Sequence, residues 1–246
     1  GSTLAFELVR ALLEARGFPQ RLLPRDLVRP GHPGNFVVAP EPMQLQRLSD
    51  SLAPGEIIAV KLHGDLPPSS AELLGTPAAH TAFRVLVSYR DPREVCLSLM
   101  EAAEHNRARD PAATRGFGAV IKDFDDAIRF TAEQLAHCLH WASVPGALPL
   151  YYEDVAFGGD GTLAHVATHL GLAPFLSDEL TTISRQLRDN TDTLRNKAVP
   201  GRYRELGAER EAKLLQTIPA ASAFIERACQ QRDHRWLASA AREHQA

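Results

Sequence analysis

A nearly all-apolar run, FRVLVSY from Phe83 to Tyr89, leads directly into Arg90 and the helix-start signal Asp91-Pro92. Such a run suits a parallel strand covered on both faces, since neither side shows the polar alternation of a solvated sheet. Asp91 stands as an N-cap, Pro92 at the first helical position and Glu94 at the third, all favourable to helix initiation. Val95, Leu99 and Ala102 continue that helix. A buried strand passing straight into a helix narrows the fold to the α/β classes.

Two further runs read as strands: Glu56 to Leu62 (EIIAVKL) before Gly64, and Ala147 to Asp154 (ALPLYYED). Helical spacing marks Thr3 to Ala15, ended by Gly17, and a long amphipathic stretch from Phe117 to Trp141, ended by Pro145-Gly146. A helix is expected from about Thr162 to Leu170, and the chain from about Glu205 is helical with a break at Pro219. Pro24 to Pro42 reads as a long loop around the apolar piece Phe36-Val37-Val38. Strands alternating with helices predict one domain over residues 1–246, a central parallel sheet with helices on both faces.

Composition bears on partners and setting. A formal charge of −3 over 246 residues gives no reason to expect electrostatic binding to nucleic acid or anionic membrane. No window approaches the roughly 20 apolar residues of a membrane span, and no basic-then-apolar run stands at the start, so neither a span nor a signal peptide is expected. The three cysteines, Cys96, Cys138 and Cys229, are widely separated and lack metal-ligand spacing, as expected of free thiols in a reducing, cytoplasmic setting. The sequence carries no signal for oligomeric state.

In parallel sheets, ligands sit beyond the carboxyl ends of the strands, which directs attention to four places. Arg90 follows the apolar strand, and Ser98 lies two helical turns beyond Asp91, about 10 Å along the axis. An arginine spans much of that gap, so guanidinium and hydroxyl can meet around one phosphate. Spacing by itself favours the plainer reading, an Arg90–Asp ion pair with Ser98 as packing. Lys61 and His63 fall on one face of a strand end, the histidine suited to general-base work and the lysine to charge stabilisation. A lone strand-end histidine is more often structural. Gly1-Ser2-Thr3 before a helix can present N–H groups and hydroxyls to an anion, although Gly-Ser also occurs as a cloning remnant. The loop RNKAVPGRY offers Arg195, Lys197 and Arg202, alone no more than a solvated basic loop. A Walker A GK[ST] is absent, so an ordinary ATP-binding loop lacks support.

Taken together, in this order, the pieces resemble the sulfotransferase family that uses 3′-phosphoadenosine 5′-phosphosulfate (PAPS). Gly1-Ser2-Thr3 is similar to the end of that family's phosphosulfate loop, and Lys61-Leu62-His63 to its Lys-x-His strand end. Arg90 to Ser98, within Arg-Asp-Pro-Arg-x-Val, is similar to its 3′-phosphate motif, the most specific of the matches. Tyr152-Glu153-Asp154 is similar to its Tyr-Glu-Asp strand end, and Asn196-Lys197-Ala198-Val199-Pro200-Gly201 to its late Arg-Lys-Gly-x-x-Gly loop. The likeness runs from Gly1 to about Tyr203.

The resemblance implies a P-loop-like α/β fold and transfer of a sulfuryl group from PAPS to an acceptor hydroxyl or amine, leaving adenosine 3′,5′-bisphosphate. On it, His63 takes the acceptor's proton and Lys61 polarises the transferring group. Gly1, Ser2 and Thr3 hold the 5′-phosphosulfate; Arg90, Ser98 and Lys197, with Asn196 and Gly201 in the same loop, hold the 3′-phosphate; Tyr152 lines the adenine pocket. No metal is expected, because lysine and a helix N-terminus supply the positive charge. Some members use a carboxylate base, for which Asp65 and Glu41 are the candidates.

Two departures stand out. The family's Lys or Arg before the loop glycine, on a first strand, would precede Gly1, so an upstream extension is expected. Asn196 and Ala198 replace the family's Arg and Gly. A nucleoside or sugar kinase of P-loop type, and a catalytically silent nucleotide-binding relative, are the competing expectations. The acceptor is expected to be a small molecule or glycan, an aliphatic alcohol before a phenol. Its pocket would be shaped by Pro24–Pro42 and His105–Phe117.

Overall fold

A computed structural model of the chain describes residues 2–29, 34–110, 116–157, 159–189, 202–227 and 229. The protein is mixed α/β and mostly helical, with two small parallel sheets. In chain order the elements are α1 (Ser2–Ala15), β1 (Phe36–Val38), α2 (Pro42–Asp50), β2 (Lys61–His63), α3 (Pro68–Leu74), α4 (Pro77–Ala82) and β3 (Leu86–Tyr89). They continue as α5 (Pro92–Arg109), α6 (Phe117–Val120), α7 (Phe124–Ala142), β4 (Leu148–Tyr151), α8 (Tyr152–Phe157), α9 (Asp160–His169) and α10 (Ser177–Asp189). A 3₁₀ turn at Arg202–Leu206 then precedes α11 (Ala208–Thr217). Among the described residues no helix is long and apolar enough to cross a membrane.

Strand β1 pairs in parallel with β2, Phe36 opposite Lys61 and Val38 opposite His63. Strand β3 pairs in parallel with β4, Leu86 opposite Leu148 and Tyr89 opposite Tyr151. Among the described residues no ladder joins the two pairs, so one central sheet is not what the backbone hydrogen bonds define. The chain falls into two compact units, Gly1–Tyr89 with Ala136–Arg195 and Arg90–Leu135 with Asn196–Ala246.

The first unit holds a hydrophobic core built around α1. Leu8 and Leu12 of α1, at helical spacing, bury fully against Leu150 of β4, Leu163 and Val166 of α9, and Leu180, Ile183 and Leu187 of α10. Burying such a side chain contributes about 1.5–3 kcal/mol, so this stripe alone explains why α1 is well formed. Arg16 fastens its C-terminal end: Nη1 and Nη2 donate to the two Glu179 oxygens at 2.8 and 3.0 Å, and the guanidinium lies 3.4 Å from the Phe175 ring centre.

The expected strand from Glu56 to Leu62 shortens to Lys61–His63, and side chains explain why. The Gln20 amide donates to the Ile57 carbonyl at 2.9 Å and accepts the Ala59 N–H at 2.8 Å. Buried Asn35 donates to the Ala59 carbonyl at 3.3 Å and accepts the Leu23 N–H at 2.8 Å. Side-chain amides thus satisfy groups a neighbouring strand would otherwise take, and the ladder starts only at Lys61. Phe36–Val38, read from the sequence as part of a loop, supplies its partner.

Other boundaries shift for equally local reasons. Phe83 still donates its N–H to the Ala79 carbonyl but turns to extended backbone (φ −124°, ψ 141°), which ends α4, and β3 begins at Leu86. The long helix expected from Phe117 breaks at Lys122-Asp123. There the Asp123 carboxylate accepts the Asp126 N–H while that of Asp126 accepts the Lys122 N–H, both at 2.9 Å, a reciprocal helix start. Tyr152-Glu153-Asp154, expected to close a strand, instead forms the first turn of α8.

Candidate functional site

In the first unit the strand-end lysine and the first turn of α1 meet. Lys61 Nζ donates to Thr3 Oγ1 at 2.8 Å. Burial lowers the pKa of this half-buried ammonium, and the nearby Glu7 carboxylate partly restores it. The cation and hydroxyl lie beside the N-terminal turn of a 14-residue helix, whose free N–H groups carry partial positive charge. Lysine, hydroxyl and helix end together can receive an anion.

His63 shares the Lys61 face of β2, because side chains two apart on a strand point the same way. Its ring packs 5.0 Å from that of Phe36, and its carbonyl accepts the Ala39 N–H at 3.1 Å. The chain then turns through Gly64 at φ 94°, where an added Cβ would lie 3.3 Å from Val38 Cγ1. Trp141 Nε1 donates to the Gly64 carbonyl at 3.1 Å and fixes the turn from outside. Histidine placement therefore rests on Gly64, which the sequence marks as the end of the strand, and on a Trp141 contact that it does not announce. Gly64 after the strand was the available signal.

The two alternative bases are engaged differently. Asp65 Oδ1 meets His140 Nδ1 at 2.6 Å, and this hydrogen bond holds its carboxyl below the usual range, which weakens it as a base. Glu41 sits at the N-cap position of α2, and its carboxylate accepts a long 3.5 Å bond from Ser69 Oγ. Tyr152 is buried at the start of α8, after the β3 and β4 ends where the Tyr89 and Tyr151 rings stack 5.5 Å apart. Burial pushes the Tyr89 phenol up to about 12, so it stays protonated and donates to the Cys138 carbonyl at 3.2 Å.

In the second unit, Arg90 and Glu94 form a buried pair, 3.2 Å apart and 8% and 4% exposed. The expected arginine–aspartate pair is thus replaced by arginine–glutamate one helical turn on. Asp91 faces Arg93 instead: Oδ1 accepts the Arg93 N–H at 3.0 Å and its Nε–H at 3.1 Å, and Oδ2 accepts Nη2–H at 2.8 Å. Burial pulls the Arg93 pKa down, but the Asp91 hydrogen bonds and charge outweigh it and leave it raised. Arg93 also donates to Glu211 at 2.6 Å and lies 3.9 Å from the Tyr203 ring centre. Ser98 follows Glu94 by one more turn, so Arg90, Glu94 and Ser98 stand on one stripe at intervals of four residues. The carboxylate between guanidinium and hydroxyl was legible in the i, i+4 spacing and was overlooked.

Arg202, read as one cation of a basic loop, is buried and committed elsewhere. It forms a two-point pair with Glu101 and adds Glu205 Oε2 at 3.4 Å. Gly1, Asn196, Lys197 and Gly201 lie outside the described residues, and for Ser2 only its place in α1 is described. Among the described residues no group of three or more His, Cys, Asp or Glu side chains is arranged to hold a metal. No protein-family model matches the chain, and no curated protein matches it significantly.

Proposed function

We propose that the chain is a PAPS-dependent sulfotransferase. The observation that carries this reading is the Lys61–Thr3 hydrogen bond. Two short motifs, each weak alone, are joined side chain to side chain at the N-terminus of α1, as a phosphosulfate cradle requires. The reading takes β1–β2 and β3–β4 as parts of one parallel sheet of P-loop-like type.

In the first unit, Ser2, Thr3 and the α1 N–H groups hold the 5′-phosphosulfate, and Lys61 stabilises charge on the transferring group. His63 accepts the proton of the acceptor hydroxyl as its oxygen bonds to sulfur. The bond from sulfur to the 5′-phosphate oxygen breaks, and adenosine 3′,5′-bisphosphate leaves with that electron pair. The products are a sulfate ester and the nucleotide, and the proton passes from histidine to solvent. In such loose, in-line transfers most of the acceleration comes from positioning and charge stabilisation. The resemblance assigns the 3′-phosphate to Arg90 and Ser98, where Glu94 is the resident competitor for the guanidinium.

Sulfur-35-labelled PAPS incubated with panels of glycan, aliphatic-alcohol, amine and phenol acceptors tests the assignment. Label transfer with stoichiometric release of adenosine 3′,5′-bisphosphate is expected, with hydroxyl acceptors on glycans or aliphatic chains preferred. Turnover of ATP but not of PAPS would replace this reading by a P-loop-type kinase.

A further inference from the structure

At the N-terminal end of the β3–β4 pair, the first unit has an open cavity of about 320 Å³. That is the small end of ligand-sized pockets, roughly 300–1,000 Å³. Its apolar walls are Leu74, Phe83 and Val144, and its polar lining is His80, Arg84 and His169. The cavity opens where Val85 enters β3 and where Pro145-Gly146 leads into β4.

The polar lining is one guanidinium, on exposed Arg84, beside the imidazoles of His80 and His169, and it is partly fixed. Arg84 Nη1 donates to the carbonyls of His80 and, at 3.2 Å, Phe83, which anchors the guanidinium at the end of α4. Its Nε and Nη2 have no hydrogen-bond partner among the described residues. His169 Nε2 lies 3.1 Å from the Val85 carbonyl, which can only accept, so Nε2 carries the hydrogen. Burial holds the His169 pKa below its ordinary value, against the Val85 hydrogen bond, and the Arg84 and His165 charges lower it further. An apolar hollow with one guanidinium at its rim favours an apolar ligand that carries one negative charge.

We propose that this cavity is a second ligand site, which takes a small organic monocarboxylate with its apolar body against Leu74, Phe83 and Val144 and its carboxylate on Arg84. Neither the transfer reaction nor the nucleotide reading uses these residues.

Nuclear magnetic resonance titration of the full chain with benzoate, and with benzyl alcohol as uncharged control, tests the site. Expected are saturable shifts of the His80 and His169 ring signals and of the Leu74 and Val144 methyls with benzoate. Arg84→Gln should weaken benzoate at least about tenfold, a loss of about 1.4 kcal/mol. Val144→Phe, which fills the cavity and keeps Arg84, should block it even if the arginine variant folds poorly. Non-saturable shifts, equal response to benzyl alcohol, or benzoate binding retained in Val144→Phe would overturn the proposal.

Discussion

Lys61 Nζ and Thr3 Oγ1, 58 residues apart in sequence, are joined by a 2.8 Å hydrogen bond at the head of α1. If that lysine stabilises the transferring sulfuryl group, Lys61→Met should lower turnover by roughly 10²–10³-fold, the scale of losing one charge-stabilising donor. Stability should not fall with it. Burial already lowers the folded-state pKa of this ammonium, so the folded protein carries a cost below that pKa that lifts as pH rises towards the ordinary lysine value. Thermal unfolding and single-turnover rates measured together separate the two effects.

Glu94→Gln tests whether the carboxylate competes with phosphate for Arg90. Removing the charge should raise affinity for adenosine 3′,5′-bisphosphate several-fold while lowering stability by about 1–3 kcal/mol, since a buried ion pair is broken. Weaker nucleotide binding in the variant would mean that Glu94 positions the guanidinium and does not oppose the ligand.

His63→Gln should cut turnover by about 10²–10⁴-fold and keep nucleotide affinity. Asp65→Asn should have little effect on rate, because the Asp65 carboxylate is held by His140 at 2.6 Å. The reverse outcome in pH–rate profiles would move the base to Asp65.

Gly64→Ala should destabilise the first unit by about 1–2 kcal/mol, from the left-handed backbone at φ 94°. The added methyl meets Val38 Cγ1 at 3.3 Å, so the turn that follows His63 must move. Activity measured well below the melting temperature should fall further than the lost folded fraction explains.

Element types were largely readable where local chemistry decides them. The Asp91 cap and Pro92 opened α5 as their sequence demanded, and the Leu8–Leu12 stripe of α1 is the core stripe. What the sequence hid depends on partners far along the chain. The Gln20 and Asn35 amides take over backbone groups of 57–59, and nothing local to EIIAVKL announces that. Gly118 lets α6 approach α5, where an added Cβ would lie 3.2 Å from the Arg107 N, a contact invisible in a helix-period pattern. At the candidate site the residue types were legible, and the i, i+4 spacing also carried the Arg90–Glu94 pair, whereas the Lys61–Thr3 and Arg93–Asp91 pairings were not legible. Arg90 chose Glu94 over Asp91 because Arg93 takes the Asp91 carboxylate at three points.

The most direct test of the account is calorimetric titration of adenosine 3′,5′-bisphosphate and adenosine 5′-monophosphate into the wild-type protein and Arg90→Gln. The wild type should prefer the bisphosphate by at least about tenfold, since a charge-assisted hydrogen bond contributes about 1.5–3 kcal/mol. Arg90→Gln should erase most of that preference and leave monophosphate binding nearly unchanged. Equal affinities in the wild type, or a preference that survives Arg90→Gln, would contradict the assignment of Arg90 to a 3′-phosphate and with it the sulfotransferase reading.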